Sequence, residues 1–190
     1  MPELQLLKPD VSRLASYRQA LERGWSPDNV DGAAAAQREL AQMAADPAAF
    51  VGSLDDPEAK GPPIRLPDGS AFQRLPSFRR WLWDGAFAGS FGLRWRPGTN
   101  ALPDHVPGHI GYTVPAWKAG RGYATRGLAL LLPMARAVGL SYVELVTEPD
   151  NLASQKVILN NGGALVGRFE NAALFHGGAA LKFRIDLAGS

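Results

Sequence analysis

The sequence predicts a loop-rich fold that mixes helices and strands, of the α/β or α+β class. Three observations predict it. Short segments alternate apolar and polar residues as strands do, and longer segments carry helical periodicity. The chain also holds 21 glycines and 15 prolines, which is high for a helical bundle. A chain of 190 residues can bury a substantial core, so we expect a single domain over residues 1–190.

The first 77 residues are predicted to hold one strand, two helices and a long loop. In chain order these are a strand at 3–7, a helix at 12–23, a helix at 32–45, and a loop at 52–77 that follows at most one helical turn near 47–51. Asp10 or Ser12 can cap the first helix, Gly24 can end it, and Asp31 can cap the second. The loop holds five prolines and few apolar residues. Long irregular segments are often functional, so this one is expected to form part of a substrate pocket.

The rest of the chain is predicted to be richer in strands, with two helices between them. The elements are strands at 78–83, 86–95 and 109–114, a helix at 122–138, a strand at 142–147, a helix at 152–160, and strands at 164–169 and 181–187. Asp84-Gly85 is a strong signal for a hairpin between the first two of these strands. Pro133 removes a helical bond to Ala129, so it is expected to kink or end the longer helix.

Composition and charge exclude several classes of protein. Cysteine is absent, which excludes disulfides, thiolate metal sites and a cysteine nucleophile. No apolar run approaches the roughly 18 residues of a membrane span, and residues 1–9 lack the apolar segment of a secretory signal. We therefore expect a cytoplasmic protein without a membrane partner. A net charge of +2 with no basic block argues against nucleic acid as a partner.

The stretch Gly108–Thr125, GHIGYTVPAWKAGRGYAT, predicts a strand, a glycine-bearing loop and the start of a helix. Residues 109–114 alternate in the manner of a strand. Gly120 and Gly122 then interrupt the chain just before the helix. Unpaired N–H groups of such a loop and the dipole of the helix point in the same direction, so the stretch predicts an anion-binding site.

Two well-known phosphate-binding loops fit this stretch poorly. A Walker A loop requires G-x-x-x-x-G-K-[ST], but Leu128-Ala129 follows Gly127 where a lysine and a hydroxyl must stand. A dinucleotide-binding loop requires G-x-G-x-x-G directly after a strand. Gly120 and Gly122 have that spacing, but a five-residue spacer separates them from the strand and Thr125 holds the third position. A dinucleotide-binding oxidoreductase is therefore a minor alternative.

Five segments, GHIGYTV, RGYAT, GLSYVELV, DNLAS and ILNNGG, occur in this order within roughly residues 78–187. In their order and spacing the chain resembles a branch of the GNAT superfamily of acetyl-CoA-dependent N-acetyltransferases. Residues 119–124 are similar to its pyrophosphate loop, [QR]-x-x-G-x-[GA]. Gly122 and Ala124 match that signature, whereas Ala119 replaces its first Gln or Arg.

The resemblance implies the GNAT acyl-CoA N-acyltransferase fold, a mixed and mostly antiparallel central sheet flanked by helices on both faces. It also implies a division of labour along the chain. Residues 1–77 would form a helical and loop part on the acceptor side, and residues 78–187 would form the core with the acetyl-CoA site.

The resemblance further implies acetyl-CoA as the cosubstrate and no metal. Loop amides, helped by the charge of Arg121, would hold the pyrophosphate, and main-chain groups of Tyr112 and Val114 would pair with the pantetheine arm. Asn151 and Ser154 stand where polar contacts to that arm are expected, although helix capping explains them equally well. The predicted cosubstrate-binding residues are Tyr112, Val114, Gly120, Arg121, Gly122, Tyr123, Ala124, Thr125, Asn151 and Ser154.

Proton transfer has no single obvious residue. Many GNAT enzymes use a tyrosine seven residues after the asparagine as the acid, but that position is Ile158 here. His109 should face away from Tyr112, which favours packing or a structural hydrogen bond for this histidine. The candidates for proton transfer are Tyr112 and the loop histidines His105 and His176, with Glu144 and Glu148 as further bases. Catalysis could also rest on positioning and carbonyl polarisation alone.

The sequence therefore predicts an N-acetyltransferase in which a primary amine attacks acetyl-CoA directly in a ternary complex. The acceptor would be a small-molecule or peptide amine, and a homodimer is left open. The alternative from another class is a non-catalytic, regulatory CoA-binding domain. Ala119 and Ile158 favour that alternative, since both depart from the family pattern.

Overall fold

The computed structural model describes residues 3–29, 31–65, 69, 71–170 and 178–187. The strands are β1 (Gln5–Leu7), β2 (Asp55–Asp56), β3 (Ile64–Arg65), β4 (Ala71–Phe72), β5 (Ser77–Trp83), β6 (Phe87–Arg94), β7 (Ile110–Thr113), β8 (Tyr142–Thr147), β9 (Ala164–Glu170) and β10 (Ala179–Asp186). The helices are α1 (Leu14–Glu22), α2 (Gly32–Ala45), α3 (Pro47–Ser53), α4 (Tyr123–Ala137) and α5 (Leu152–Leu159). Short 3₁₀ turns at Val11–Arg13 and Ala116–Lys118 precede α1 and the loop before α4. None of the described helices is long and apolar enough to cross a membrane.

The predicted elements form, and the helices differ from the prediction in three details. Helix α4 continues past Pro133, because residues on either side of the proline are buried in the core and hold the helix in place. Asp31 has helical backbone angles and makes no capping bond, and its carboxylate pairs with Arg38 instead. The single turn expected near 47–51 is the longer helix α3, whose first amides bond to the Asp46 carboxylate.

The strands form two main sheets. The first has the order β1-β5-β6-β7, with β2 also beside β5, and the second has the order β8-β10-β9. Every pairing between described strands is antiparallel. The predicted hairpin joins β5 to β6, and Gly85 in its turn has φ +103°. The short strands β2, β3 and β4 lie within the segment expected to be a loop.

Helices cover both faces of the first sheet. Successive residues of a strand point to opposite faces, so Trp81 and Leu82 of β5, each fully buried, belong to different cores. Leu82 shares a core with apolar residues of α4 and α5. Trp81 shares a core with residues of α1, α2 and α3. This confirms the predicted fold of mostly antiparallel strands with helices on both faces, although the described strands form two main sheets in place of one central sheet.

A buried histidine joins the two sheets at one point. The backbone N–H of His109 donates to the Glu144 carbonyl oxygen at 2.7 Å. Its imidazole Nδ1 accepts the Glu144 N–H at 2.9 Å, and Nε2 donates to the Asn100 carbonyl oxygen at 3.1 Å. Gly108 permits this approach, since a Cβ there would lie 2.8 Å from the Glu144 carbonyl oxygen. His109 thus has the structural role expected from its position.

Acidification is expected to weaken this junction. Burial, which outweighs the nearby Glu144 charge, lowers the pKa of His109 below its usual 6.5. The unfolded chain therefore binds this proton at higher pH than the folded chain. The stabilisation is complete above pH 6.5 and is lost as the pH falls through the folded-state pKa. Between about pH 7.5 and about pH 5, we expect wild type to lose more unfolding free energy than His109→Gln does in urea denaturation.

His105→Gln is the control for this experiment, because it removes an exposed histidine that lies outside the junction. The same pH dependence in wild type and in His109→Gln would contradict the prediction.

A buried polar cluster attaches α1 and α2 to the first sheet. Arg79 of β5 donates from Nη1 to Glu39 Oε1 at 2.7 Å and to the Tyr17 hydroxyl at 3.2 Å. The Tyr17 hydroxyl in turn donates to the other oxygen of Glu39. Burial is the largest influence on Tyr17 and raises its pKa well above the ordinary value, so the phenol stays a neutral donor. The cluster therefore fixes α1 and α2, and the connection between these two helices lines the cleft beside β7.

Candidate active site

A cleft of about 1030 Å³ opens between β7 and β8, beyond the His109 junction. One wall consists of β7 and the loop that leads into α4, and the opposite wall consists of β8 and α5. Residues between Arg23 and Asn29, in the connection from α1 to α2, contribute a third side. Small-molecule sites span about 300–1,000 Å³, so this cleft can take a large ligand.

The edge of β7 that faces the cleft carries main-chain hydrogen-bonding groups. Arg94 N donates to the His109 carbonyl oxygen at 2.9 Å, which marks this pair as a hydrogen-bonded pair of the β6–β7 ladder. In an antiparallel ladder such pairs alternate with non-bonded ones. Phe91 and Tyr112 therefore form a non-bonded pair, and the peptide groups of Tyr112 point away from β6, into the cleft. An extended ligand can bond to this edge as an added strand does.

The loop before α4 presents bare amides to the same cleft. Gly120 and Gly122 have φ of +74° and +71°, a conformation that other residues rarely adopt. Gly122 is the N-cap of α4, no side chain bonds to the amides of that helix start, and the first turn contains no acidic residue. The amides of residues 123–125 and the helix dipole can therefore hold an anion.

Two contacts fix the position of the start of α4, one made by Asn161 and one by Gly127. The sequence did not indicate this role for either residue. Asn161, in the NNGG segment, donates from Nδ2 to the Thr125 carbonyl oxygen at 3.1 Å and to Val157 at 2.8 Å. Gly127 lies against the ring of Phe91, and a Cβ at that position would overlap the ring. The glycine that resembled part of a Walker A loop thus serves close packing of a helix on a strand.

Tyr112 lies in the cleft with its hydroxyl held in place. The hydroxyl is 3.0 Å from Ser154 Oγ, and the ring stacks on Phe91 with centroids 5.4 Å apart. Burial raises the pKa of Tyr112, and the bond from Ser154 only partly offsets this effect. The phenol therefore stays protonated near neutral pH, which suits a proton donor better than a base.

The start of α5 brings Asn151 and Ser154 to the cleft. Asn151 Oδ1 accepts the Ser154 N–H at 3.0 Å, so Asn151 is the cap of α5. Ser154 pairs through its hydroxyl with Tyr112. Both residues also line the cleft, so their structural role does not remove them from it.

Nine of the ten predicted cosubstrate-binding residues line the cleft, and Arg121 is the exception. Arg121 lines a neighbouring pocket of about 320 Å³, together with residues of α1 and the β5–β6 turn. His105 is exposed and stacks on Phe72 with centroids 3.9 Å apart, outside the cleft. His176 lies outside the described residues.

The two candidate carboxylate bases are in different places. Glu148 lines the cleft, whereas Glu144 does not. Glu144 accepts a bond from Arg184 at 2.8 Å and lies 3.5 Å from Lys182. Burial alone would raise the pKa of Glu144, but these two cations lower it, so the carboxylate is engaged in the sheet. Ile158, at the position of the family tyrosine, is fully buried at the base of the cleft.

The fold and the site define a class of protein. The cleft between the two sheets offers an open strand edge and a helix start whose amides have no side-chain cap, which suits a long ligand carrying phosphate groups. Among the described residues, no group of three or more His, Asp or Glu side chains could hold a metal ion. The sequence profile described as "Acetyltransferase (GNAT) domain" matches residues 23–164. The chain belongs to this acetyltransferase family and is an acyltransferase.

Solved structures share the fold across nearly the whole chain. The ribosomal-protein-S5-alanine acetyltransferase from Vibrio fischeri has 15% identity and a TM-score of 0.60, with 99% of this chain and 95% of that chain covered. RimJ from Mycobacterium smegmatis, in complex with CoA-disulfide, has 18% identity and a TM-score of 0.58, with 96% and 81% covered. The microcin C7 self-immunity acetyltransferase MccE, in complex with acetyl-CoA and AMP, has 12% identity and a TM-score of 0.59, with 97% and 92% covered. No curated protein sequence matches the chain.

Proposed function

We propose that the protein transfers the acetyl group of acetyl-CoA to a primary amine by direct attack in a ternary complex. One observation carries the proposal: the open edge of β7 and the start of α4, whose amides have no side-chain cap, face the same cleft. A ligand with an extended amide-bearing arm and a pyrophosphate satisfies both features at once.

The residues of the cleft fit acetyl-CoA. The amides of residues 120–125 would hold the pyrophosphate, and the main-chain groups of Tyr112 and Val114 would bond to the pantetheine arm. Asn151 and Ser154 would contact the same arm from α5. The structural relatives MccE and RimJ, which are complexes with acetyl-CoA and CoA-disulfide, support this choice of ligand.

The transfer requires movement of protons as well as of the acetyl group. An ammonium must first lose one proton, and Glu148, which follows β8 directly, has a carboxylate in the cleft lining that can attract the ammonium and accept this proton. The neutral nitrogen then bonds to the acetyl carbonyl carbon, and the carbon–sulfur bond breaks. The departing thiolate takes a proton from the Tyr112 hydroxyl, the nitrogen releases its second proton to water, and water returns a proton to the Tyr112 phenolate, whose raised pKa favours its uptake. Ser154 holds that hydroxyl in place.

The acceptor is proposed to be a small-molecule or peptide amine that enters past residues 23–29. The cleft lining holds cations as well as carboxylates, and within it the carboxylate of Glu148 is a group with which a cationic amine can pair. The relative named as an acetyltransferase of a ribosomal-protein alanine makes a peptide N-terminus a suitable first probe. A cytoplasmic location, a homodimer and the division of the chain at residue 77 stay predictions.

Tyr112→Phe tests the proposed role of the hydroxyl. The variant keeps the ring that stacks on Phe91 but has no proton to donate. We expect kcat to fall about a hundredfold, because general acid catalysis contributes about 10²–10⁴ in rate. The affinity for acetyl-CoA, measured by calorimetry, should change little. Thiol release with a panel of small amines and alanine-terminated peptides supplies the rate.

Tyr142→Phe is the matched control, since Tyr142 lies outside the cleft lining and should keep wild-type kcat. A kcat for Tyr112→Phe equal to that of wild type would remove the tyrosine from the mechanism. Tight binding of acetyl-CoA without turnover on any amine would instead favour the non-catalytic CoA-binding alternative.

A further inference from the structure

The turn between β5 and β6 reaches across to the loop that begins α4. Asp84 Oδ2 accepts a bond from Lys118 Nζ at 2.6 Å and another from the Tyr123 hydroxyl at 2.8 Å. The side chains of Asp84 and Lys118 are 9% and 18% exposed, so the ion pair is largely shielded from water. These contacts join residues 34 and 39 positions apart in sequence.

The two oxygens of this carboxylate have different partners. Oδ1 lies 3.3 Å from the Ala86 N–H and serves the hairpin turn itself. Oδ2 alone serves the distant loop. Burial by itself would raise the pKa of Asp84, but the bonds from Lys118 and Tyr123 lower it, so the group stays a carboxylate.

The two partners of Oδ2 stand at the two ends of residues 119–122, the loop before α4 whose amides would help to hold the pyrophosphate and which is called the phosphate loop below. Lys118 is the last residue of the 3₁₀ turn before the loop, and Tyr123 is the first residue of α4. The glycines between them, Gly120 and Gly122, leave the backbone free to adopt many conformations. Amides that bind an anion must be fixed in direction beforehand, because ordering them on binding costs free energy.

A second contact holds the entry to the loop from the other side. The guanidinium of Arg23, at the end of α1, lies 3.9 Å from the ring centroid of Trp117. Trp117 is next to Lys118 in the same 3₁₀ turn. The entry is therefore held by α1 and by the hairpin turn together.

We propose that Asp84 is a positioning residue that fixes both ends of the phosphate loop and so orients its amides for the pyrophosphate. This inference rests on the proposed function. It also assigns Lys118, which lines the cleft, to the carboxylate instead of to the phosphates. The loop amides then hold the pyrophosphate without that lysine.

Three variants test the contacts of Asp84 with Lys118 and Tyr123, which are called the Asp84 contacts below. One variant changes the carboxylate, and the other two each remove a donor. In Asp84→Asn, the amide oxygen can still accept a bond from the Ala86 N–H. The NH₂ group then replaces Oδ2 and cannot accept bonds from Lys118 and Tyr123. Tyr123→Phe and Lys118→Met each remove one donor and leave the hairpin intact. We expect Asp84→Asn to weaken acetyl-CoA binding about tenfold, because the loop amides must then be ordered when the ligand binds. With saturating acetyl-CoA, kcat should stay near that of wild type.

Hydrogen–deuterium exchange without ligand provides a second measurement. Amides of residues 119–125 should exchange several-fold faster in Asp84→Asn than in wild type, whereas those of β8 and β10 should be unchanged. Adding Tyr123→Phe and Lys118→Met to Asp84→Asn should weaken binding no further, because all three changes break the same contacts.

Asp31→Asn is the matched control, since it removes the charge of an exposed Asp–Arg pair on α2 and should leave both measurements at wild-type values. Unchanged affinity and exchange in Asp84→Asn, with tight binding by wild type, would overturn the positioning role of Asp84 and leave the proposed function standing. Absence of acetyl-CoA binding in wild type would overturn both. A fall in kcat with unchanged affinity would also overturn the positioning role, because it would indicate that Asp84 acts in the transfer step itself.

Discussion

Replacement of Gly122 by glutamate is expected to weaken acetyl-CoA binding by at least about a hundredfold, because two effects act together. Gly122 has φ +71°, so a residue with a side chain is strained there. A Cβ at this position would meet no atom within 4 Å, so the new carboxylate would stand free at the start of α4. It would then repel the pyrophosphate and compete for the amides that bind it. Titration calorimetry of wild type and variant with acetyl-CoA measures the effect.

Gly139→Glu is the control for backbone strain. Gly139 follows the other end of the same helix, has φ +92°, and would also meet no atom within 4 Å. Its substitution imposes similar strain but puts the charge far from the phosphate loop. We expect Gly139→Glu to destabilise the fold somewhat and to keep wild-type affinity. Equal affinity of wild type and Gly122→Glu would show that this loop does not hold the pyrophosphate.

Glu39→Ala is expected to cost about 3–5 kcal/mol in unfolding free energy, the largest loss of stability predicted for this protein. The variant leaves the guanidinium of Arg79 and the hydroxyl of Tyr17 without their shared acceptor. Side chains of Glu39 and Arg79 are only 12% and 28% exposed, so water replaces the carboxylate poorly. Since whole domains are stable by about 5–15 kcal/mol, much of the total stability depends on this cluster. Urea denaturation at neutral pH measures the change.

Arg38→Ala controls for loss of an ion pair on the same helix. Arg38 pairs with Asp31, but their side chains are 57% and 53% exposed, so the expected loss is below about 1 kcal/mol. The double variant Glu39→Met, Arg79→Met should recover part of the stability, because no charge is then left unpaired, while the Tyr17 hydroxyl still lacks its acceptor. A loss in Glu39→Ala no larger than in Arg38→Ala would contradict a structural role of this cluster.

Loss of Glu39 should also affect the cleft. Tyr17 and Glu39 lie on α1 and α2, and the connection between these helices contributes the third side of the cleft. A loosened cluster should therefore disturb the acceptor side before it disturbs the phosphate loop. This is the physical link between the N-terminal part of the chain and the proposed acceptor site.

Local patterns in the sequence predicted most of the elements, and in one place they predicted a site. Alternation predicted β7, the Asp84-Gly85 pair predicted the hairpin, and helix-forming residues after Gly122 predicted α4. These features depend on residues close in sequence, since turn chemistry, strand periodicity and helix caps act over a few positions. The anion-binding character of residues 108–125 is of the same kind, because bare amides at a helix start arise from local backbone geometry.

Other features depended on contacts between distant parts of the chain, which no local pattern encodes. Asp84 was recognisable as a turn residue, but its bonds to Lys118 and Tyr123 exist only because the hairpin folds onto the loop. Alternation placed His109 on the strand face away from Tyr112. The structure shows that His109 connects the two sheets through its bonds to Glu144 and that its ring also bonds to Asn100 in the preceding loop.

The sequence by itself determined the strand, the glycine loop and the helix that are predicted to form an anion site. Only the tertiary structure decided which side chains share the cleft. It placed Tyr112 beside Ser154, and it placed His105 and Arg121 elsewhere. The physical reason is that proximity across 20 or more residues follows from how the sheets and helices pack, whereas the conformation of a loop follows from its own glycines.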